Sequence, residues 1–308
     1  MLDVLCVGEA LWDLHAPPGV SFARAKTLAM RPGGAAVNVA LSLAKRGARV
    51  GLAAVVGDEA LGEALIARVE AAGVEALVER ALPRTGVVFA ERAAKGARFV
   101  GYRSADEPAP RLPRGWRARV LLLTGLMPGA PHAAAWRAAA RAARRRGALV
   151  VLDVNARPRV WRGRDAADAL AVIAECDVVK ASVDDLAVLG LGAEGGARLR
   201  AALRRGAALV TTAGPGPARA AGAFGEVTRP SGHTASGDAL GAGDAFTAGV
   251  LIELLRDAGP RDAALWDRAL RRGHAVALAH LRRASSDKKK EAPARRWGGT
   301  TSQAPPTK

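Results

Sequence analysis

Asp238-Ala239-Leu240-Gly241-Ala242-Gly243-Asp244-Ala245-Phe246 leads straight into the apolar run Thr247 to Leu255. The small residues at its centre let the backbone amides of Ala242, Gly243 and Asp244 point together from a helix N-terminus, where the partial positive charge favours an anion. Such a turn is a place to hold a phosphoryl group in flight. A carboxylate in the same turn, Asp244, would be within reach of an incoming hydroxyl and could take its proton as the oxygen attacks. The competing interpretation is an ordinary helix start with Asp in its first turn, so the stretch needs support from elsewhere in the chain.

That support lies in Arg31-Pro32-Gly33-Gly34-Ala35-Ala36-Val37-Asn38-Val39-Ala40, also a Gly pair opening a helix, followed by Gly57-Asp58-Glu59 and Gly62 after the next strand. Gly33 and Gly34 let a ligand approach the backbone closely, and Asn38, projecting from the first turns, offers both donor and acceptor to a polyol. A Gly turn before a helix is commonplace, and taken singly this one reads as structural.

Around the two turns the chain alternates short β-branched runs with long Ala/Leu/Arg segments, the pattern of βαβ units on a parallel sheet. Strands are expected at Val4 to Val7, Val50 to Val55, Val120 to Thr124, Leu149 to Asp153, Val178 to Lys180 and Leu209 to Thr212. Helices are expected over Ala36 to Arg46, Leu61 to Ala72, Pro131 to Arg146, Ala166 to Glu175, Val183 to Leu189, Ala197 to Arg205 and Gly243 to Arg256. Two segments break the rhythm, Leu11 to Ala29 and Thr85 to Arg103. The second fits a hairpin around Lys95-Gly96, and a small sheet standing off the main one would serve as a lid, built from residues about 11–29 and 85–106. Past Ser285 the composition collapses into Asp287-Lys288-Lys289-Lys290-Glu291 and a Pro/Thr/Gly-rich end, so a folded domain over 1–284 and a disordered tail over 285–308 are expected.

With 308 residues and 50% hydrophobic content the chain can bury a large core, which excludes disorder throughout. It has no run of about 18 uncharged apolar residues, and Met1 to Gly8 lacks the basic start of a signal peptide, so a soluble cytoplasmic protein is expected. Cys6 and Cys176 sit in or beside apolar segments far apart, as buried thiols rather than a disulfide framework. The net charge of +17 invites a nucleic-acid role. Its clusters are dispersed, however: Arg141, Arg144, Arg145 and Arg146 close one helix, Arg204 and Arg205 another, and Arg271 and Arg272 lie in a third, as solvated faces do. Neither a specific nucleic-acid partner nor a membrane is expected. The histidines show no metal-ligand spacing. Gly190-Leu191-Gly192-Ala193-Glu194-Gly195 matches a dinucleotide pattern formally but follows a helical run where a strand is required, and a Walker-type loop is missing.

In this order and at this separation, the two Gly-rich segments resemble the two signatures of the PfkB, or ribokinase-like, carbohydrate kinases, and the likeness extends from about Leu2 to Arg283. Gly8-Glu9-Ala10-Leu11-Trp12-Asp13, Gly101-Tyr102-Arg103, Asp153-Val154-Asn155-Ala156-Arg157 with Trp161, and Lys180-Ala181-Ser182-Val183-Asp184-Asp185 add to it. The resemblance implies an α/β, three-layer αβα ribokinase-like fold with a mostly parallel central sheet and a small β lid. It implies that Asp13, Gly33, Gly34 and Asn38 bind the sugar, with Arg103 and Arg157 beside them. Gly241, Ala242 and Gly243 would form the anion hole and Asp244 the base. The family's Asn-x-x-Glu element, which helps organise magnesium and phosphate, falls on Ser182 and Asp185, the latter reaching the metal through water. Lys180, Thr211, Gly214 and Gly216 fall on the nucleotide side. ATP and Mg2+ are the implied cofactors, and because lids in this family often build dimers, a homodimer through the lid is an open alternative. The Gly-Glu-Ala-Leu opening, Tyr102-Arg103 and the Asp-x-Asn-x-Arg segment look like fructokinases and 2-keto-3-deoxygluconate kinases. Fructose or a close ketose is the preferred acceptor and the ketodeoxy acid the alternative.

The chain departs from the family pattern at two places. Ala239 and Leu240 stand where Thr-Thr or Thr-Val is usual, so a hydroxyl near the phosphates and a monovalent cation (K+) is missing. Ala213 replaces the first Gly of a Thr-x-Gly-x-x-Gly pattern in Thr211-Thr212-Ala213-Gly214-Pro215-Gly216. These changes motivate a second reading, a catalytically weak kinase-like regulator or binding protein.

Overall fold

Alternate residues of strand β1 (Leu2–Gly8) enter two different cores, Val4 and Cys6 on one face and Leu5 and Val7 on the other, and none is more than 2% exposed. A strand apolar on both faces belongs in the middle of a covered parallel sheet, where each fully buried Val or Leu contributes about 1.5–3 kcal/mol. The computed structural model describes residues 1–17, 19–93, 96–102, 108–125, 132–157, 166–191, 195–232, 240–256 and 262–291.

After β1 come β2 (Leu11–His15), β3 (Ala29–Gly33), α1 (Ala35–Ala44), β4 (Val50–Gly57), α2 (Ala60–Ala71) and β5 (Val74–Leu82). There follow β6 (Gly86–Ala93), β7 (Gly96–Tyr102), β8 (Ala118–Thr124), α3 (Ala133–Arg145), β9 (Leu149–Asp153), α4 (Ala166–Ile173) and β10 (Val178–Ser182). The chain ends through α5 (Val183–Val188), α6 (Gly195–Ala202), β11 (Ala208–Thr212), β12 (Ala218–Gly222), β13 (Gly225–Arg229), α7 (Ala242–Arg256) and α8 (Ala263–Glu291).

Among the described residues the main sheet has nine strands in the order β13-β12-β11-β10-β9-β8-β1-β4-β5, parallel from β11 to β5 and antiparallel at the β12–β13 end. Helices α1, α2, α7 and α8 pack on the face of Val4 and Cys6, and α3 to α6 on the face of Leu5 and Val7, which makes the expected three layers. From β1 the chain adds β4 and β5 on one side, then returns to lay β8 and its successors on the other. That reversal is a topological switch point, and the crevice outside the strand carboxyl ends there is where α/β sheets bind ligands.

The lid is a second sheet of order β3-β2-β6-β7. Its root is Trp12, fully buried, whose Nε1–H donates to the Leu61 carbonyl at 2.8 Å. Because side chains alternate along a strand, anchoring Trp12 in the core turns Asp13 toward the other face. Phe22 and Phe89 meet edge to face at 5.6 Å within the lid.

The expected strands and helices form, within a few residues at their ends. No span was expected for β5, for the β12–β13 hairpin or for α8. β5 and the β12–β13 hairpin lie at the sheet edges, where Glu75, Arg80, Arg219 and Glu226 face solvent and erase the apolar run that marks an inner strand. The final helix also runs past Ser285 to Glu291, which corrects the start of the expected tail; residues 292–308 lie outside the described residues. Both thiols are free and buried, and burial pushes their pKa values up. Part of the basic charge is answered locally: Arg141 and Arg144 hold Glu175 at 2.6 and 2.9 Å, and Arg268 and Arg272 hold the buried Glu253 at 3.1 and 3.0 Å. No helix among the described residues is long and apolar enough to cross a membrane.

Candidate active site

Gly241 (φ +74°) turns the chain into α7, whose first residues are Ala242, Gly243 and Asp244. Their amides precede the helical hydrogen-bond ladder and remain available to an acceptor. The turn is braced from α8, where His280 Nε2 lies 2.8 Å from the Leu240 carbonyl and a β-carbon at Gly241 would press on the imidazole at 3.1 Å. Since a carbonyl only accepts, Nε2 carries the proton.

Asp244 is 9% exposed, and its Oδ2 accepts a 2.9 Å hydrogen bond from Asn38 Nδ2 on α1. Burial pushes its pKa up to about 6, helped by the charge of Asp153 and opposed by the Asn38 bond, Lys180 and Arg157. A base in that range is ionised at neutral pH yet keeps real proton affinity.

Across the crevice, Gly34 (φ +96°) opens α1 so close to the Glu9 carbonyl that no side chain would fit, and a β-carbon at Gly33 would collide with the Asp13 carboxylate. Burial, then the charges of Glu9 and Asp244, push Asp13 up to about 7. A carboxyl group so placed can donate or accept toward a sugar hydroxyl. Arg157 stands exposed just beyond Asn155, whose left-handed backbone (φ 43°) turns the chain after β9. Arg103 lies outside the described residues, as do Asp238 and Ala239.

Lys180 projects from β10 beneath α7, its Nζ 3.6 Å from where a β-carbon on Gly243 would be. Burial alone would lower its pKa, but the carboxylates of Asp153, Asp185 and Asp244 outweigh that and raise it, so the ammonium stays charged. Ser182 and Asp185 form a reciprocal cap on α5, with Ser182 N and Oγ donating to Asp185 Oδ2 at 2.7 and 2.8 Å. Asp185 Oδ1 takes the Ala156 amide at 2.6 Å, so this carboxylate, 2% exposed, also fastens the loop that carries Arg157.

Thr211 is the last residue but one of β11, and the turn after that strand carries Gly214 and Gly216. Gly216, Pro217, Pro230, Gly232, Leu278 and Arg282 line a groove of about 610 Å3, the size of a small-molecule site. Leu278 and Arg282, four residues apart on one face of α8, line this groove, and His280 on the same helix touches the Gly241 turn.

Two further buried polar residues lie under the first turns of α7. Asp153, at the carboxyl end of β9, and Thr247, one turn into α7, are bonded to each other at 2.6 Å. A signal was there: Asp153 is a charged residue closing the otherwise apolar run Leu149 to Leu152.

The chain resembles known proteins in sequence and in fold. The model of the pfkB family carbohydrate kinases matches residues 1–292. Fructokinase-2 of Oryza sativa subsp. japonica is 33% identical over 204 residues, which span 61% of this chain and 60% of that protein. Fructokinase-2 of Zea mays is 31% identical over 270 residues, 82% of this chain and 80% of the maize protein. The crystal structure of fructokinase with bound ATP from Xylella fastidiosa superposes with a TM-score of 0.73 at 25% identity, over 91% of this chain and 92% of that one. With its paired Gly-rich turns facing one crevice and its sequence matched from end to end of the fold, the chain belongs to the pfkB family of carbohydrate kinases.

Proposed function

We propose that the chain transfers the γ-phosphoryl group of ATP to a hydroxyl of a ketose, with fructose as the acceptor. As a family member it is a phosphotransferase with an alcohol acceptor. The Asn38–Asp244 hydrogen bond carries the proposal, because it ties the turn on the sugar side to the turn on the phosphate side at a single carboxylate. The acceptor would lie beside Asp13, Gly33, Gly34 and Asn38. Asp244 takes the proton of the attacking hydroxyl, the amides of Ala242, Gly243 and Asp244 receive the phosphoryl oxygens, and Lys180 adds a positive charge beneath them. ATP would extend from there into the groove at Gly216 and Arg282, with the Gly241 turn held by His280. Closing the lid over the sugar would exclude water and limit wasteful ATP hydrolysis.

Magnesium would travel with the nucleotide phosphates and neutralise their charge. Both oxygens of Asp185 are already bonded to Ser182 and Ala156, which suits a carboxylate standing behind the ion's water shell rather than on the ion. A sugar acid, 2-keto-3-deoxygluconate, is the second reading, favoured by the exposed Arg157 guanidinium, which could pair with its carboxylate.

A coupled ADP-release assay across fructose, other ketoses, 2-keto-3-deoxygluconate and nucleosides tests this. The expected result is the highest kcat/KM on fructose, and an Asp244→Asn variant slowed about a thousandfold with its fold and sugar binding intact. Preference for the ketodeoxy acid would move the acceptor to the second reading. Turnover on nothing would leave a kinase-like binding protein, and unchanged turnover in Asp244→Asn would refute the base.

A further inference from the structure

Asp153 is 1% exposed and uses its two oxygens on two different elements. Oδ1 accepts from Lys180 Nζ on β10 at 3.0 Å, and Oδ2 accepts from Thr247 Oγ1 on α7 at 2.6 Å. The Thr247 hydroxyl also lies 3.1 Å from the Gly243 carbonyl, the residue one turn earlier and a member of the anion-holding turn. With a single proton to give, the hydroxyl donates along the shorter contact, to Asp153. One carboxylate therefore clamps the first turns of α7 to the ends of β9 and β10. It also holds the Lys180 ammonium under Gly243.

A buried pair of this kind is poor value as a stabiliser, since desolvation of two charges offsets most of their attraction. Hydrophobic residues could fill the space: beside Lys180 and Thr247 the small void under α7 is lined by Val151, Val178, Val210, Phe246, Val250 and Leu251. A charged network kept in an apolar setting calls for a role other than stability.

We infer that Asp153, acting through Thr247 and Lys180, is the positioning residue that fixes the anion-holding turn and the ammonium beneath it. The inference rests on the kinase function proposed above. Asp244 is faced by Asn38 from α1, Asp13 from the lid, Arg157 from the loop after β9, Lys180 from β10 and Asp153 from β9. Asp13 and Asp153 are the carboxylates among these; Asp153 is the one tied to the turn, and its removal makes Asp244 easier to ionise, and so a weaker base.

The test compares Asp153→Asn, Thr247→Val and Thr247→Ser with the wild type in pH-resolved steady-state kinetics, with thermal unfolding to establish that each is folded. In Asp153→Asn the acidic limb of kcat should move to lower pH by roughly half a unit or more, while kcat at neutral pH falls about tenfold or further. Thr247→Val should lower kcat about tenfold with the sugar KM within about twofold, and Thr247→Ser should restore it. A purely structural role would lower the unfolding temperature and leave the acidic midpoint in place. That outcome, or wild-type kcat in folded Thr247→Val, would overturn the inference. Turnover of the wild type, measured alongside, separates the two levels: without it the kinase function falls, and this positioning role with it.

Discussion

The carboxylate of Asp13 lies against the backbone of Gly33 so tightly that a β-carbon there would overlap it. The two residues come from neighbouring strands of the lid, and Gly33 also hands the chain to α1, where Asn38 reaches Asp244. A methyl group at Gly33 must push the carboxyl group aside or bend β3. Gly33→Ala is therefore expected to raise the sugar KM by about tenfold or more while leaving the ATP KM within about twofold, read by steady-state kinetics with each substrate varied in turn.

Titration of the base gives a second expectation. Asp244 must be ionised to take a proton, and burial together with Asp153 holds its pKa up to about 6. Turnover should therefore rise with pH through the region near 6 and level off above it, as a profile of kcat between pH 5 and 8 would record. A profile flat across that interval would remove Asp244 from the proton-transfer step.

Asp13 makes the linked prediction about stability. Its pKa rises on folding from the ordinary 3.8 to about 7, so folding works against its ionisation. The resulting loss of stability is absent below the unfolded value, grows as pH rises between the two values, and is complete above the folded one. Asp13→Asn should raise the unfolding temperature of the sugar-free protein at pH 8, and by clearly less at pH 5. Scanning calorimetry at the two pH values checks both the sign and the trend, and the same variant should lose sugar affinity, as expected where a binding site is bought at the expense of stability.

The helix starting at Ala242 was legible because its signal is local: small residues, then Asp244 in the first turn, then an apolar run. Inner strands were legible for the same reason, since burial on both faces leaves no polar position in β4 or β9 until the strand ends. Edge strands such as β5 escaped because half their surface answers to water. The Asp153–Thr247 bond escaped for a different reason: its partners are 94 positions apart, and within its own segment Thr247 reads as one more residue of an apolar helix. No periodicity carries information about which distant carboxylate a hydroxyl will meet. The roles proposed for Asp13 and Asn38 came from likeness to a family, and what the geometry adds is that Asn38 touches the carboxylate proposed as the base.

Asp185 permits a separation of two roles that the family pattern runs together. Its oxygens satisfy the Ser182 amide and hydroxyl and the Ala156 amide, all drawn from the strand ends beside the crevice. Asp185→Ala would strand the two backbone amides, each costing about 1–3 kcal/mol, so a total loss of about 2–6 kcal/mol in denaturant unfolding is expected. An ion held through water loses only an outer partner in this variant. The free Mg2+ needed for half-maximal rate should then move by less than about threefold, while kcat falls further because the loop carrying Arg157 is no longer fastened. A large rise in the Mg2+ requirement with unchanged stability would instead place Asp185 on the ion directly and require both of its present hydrogen-bond partners to let go.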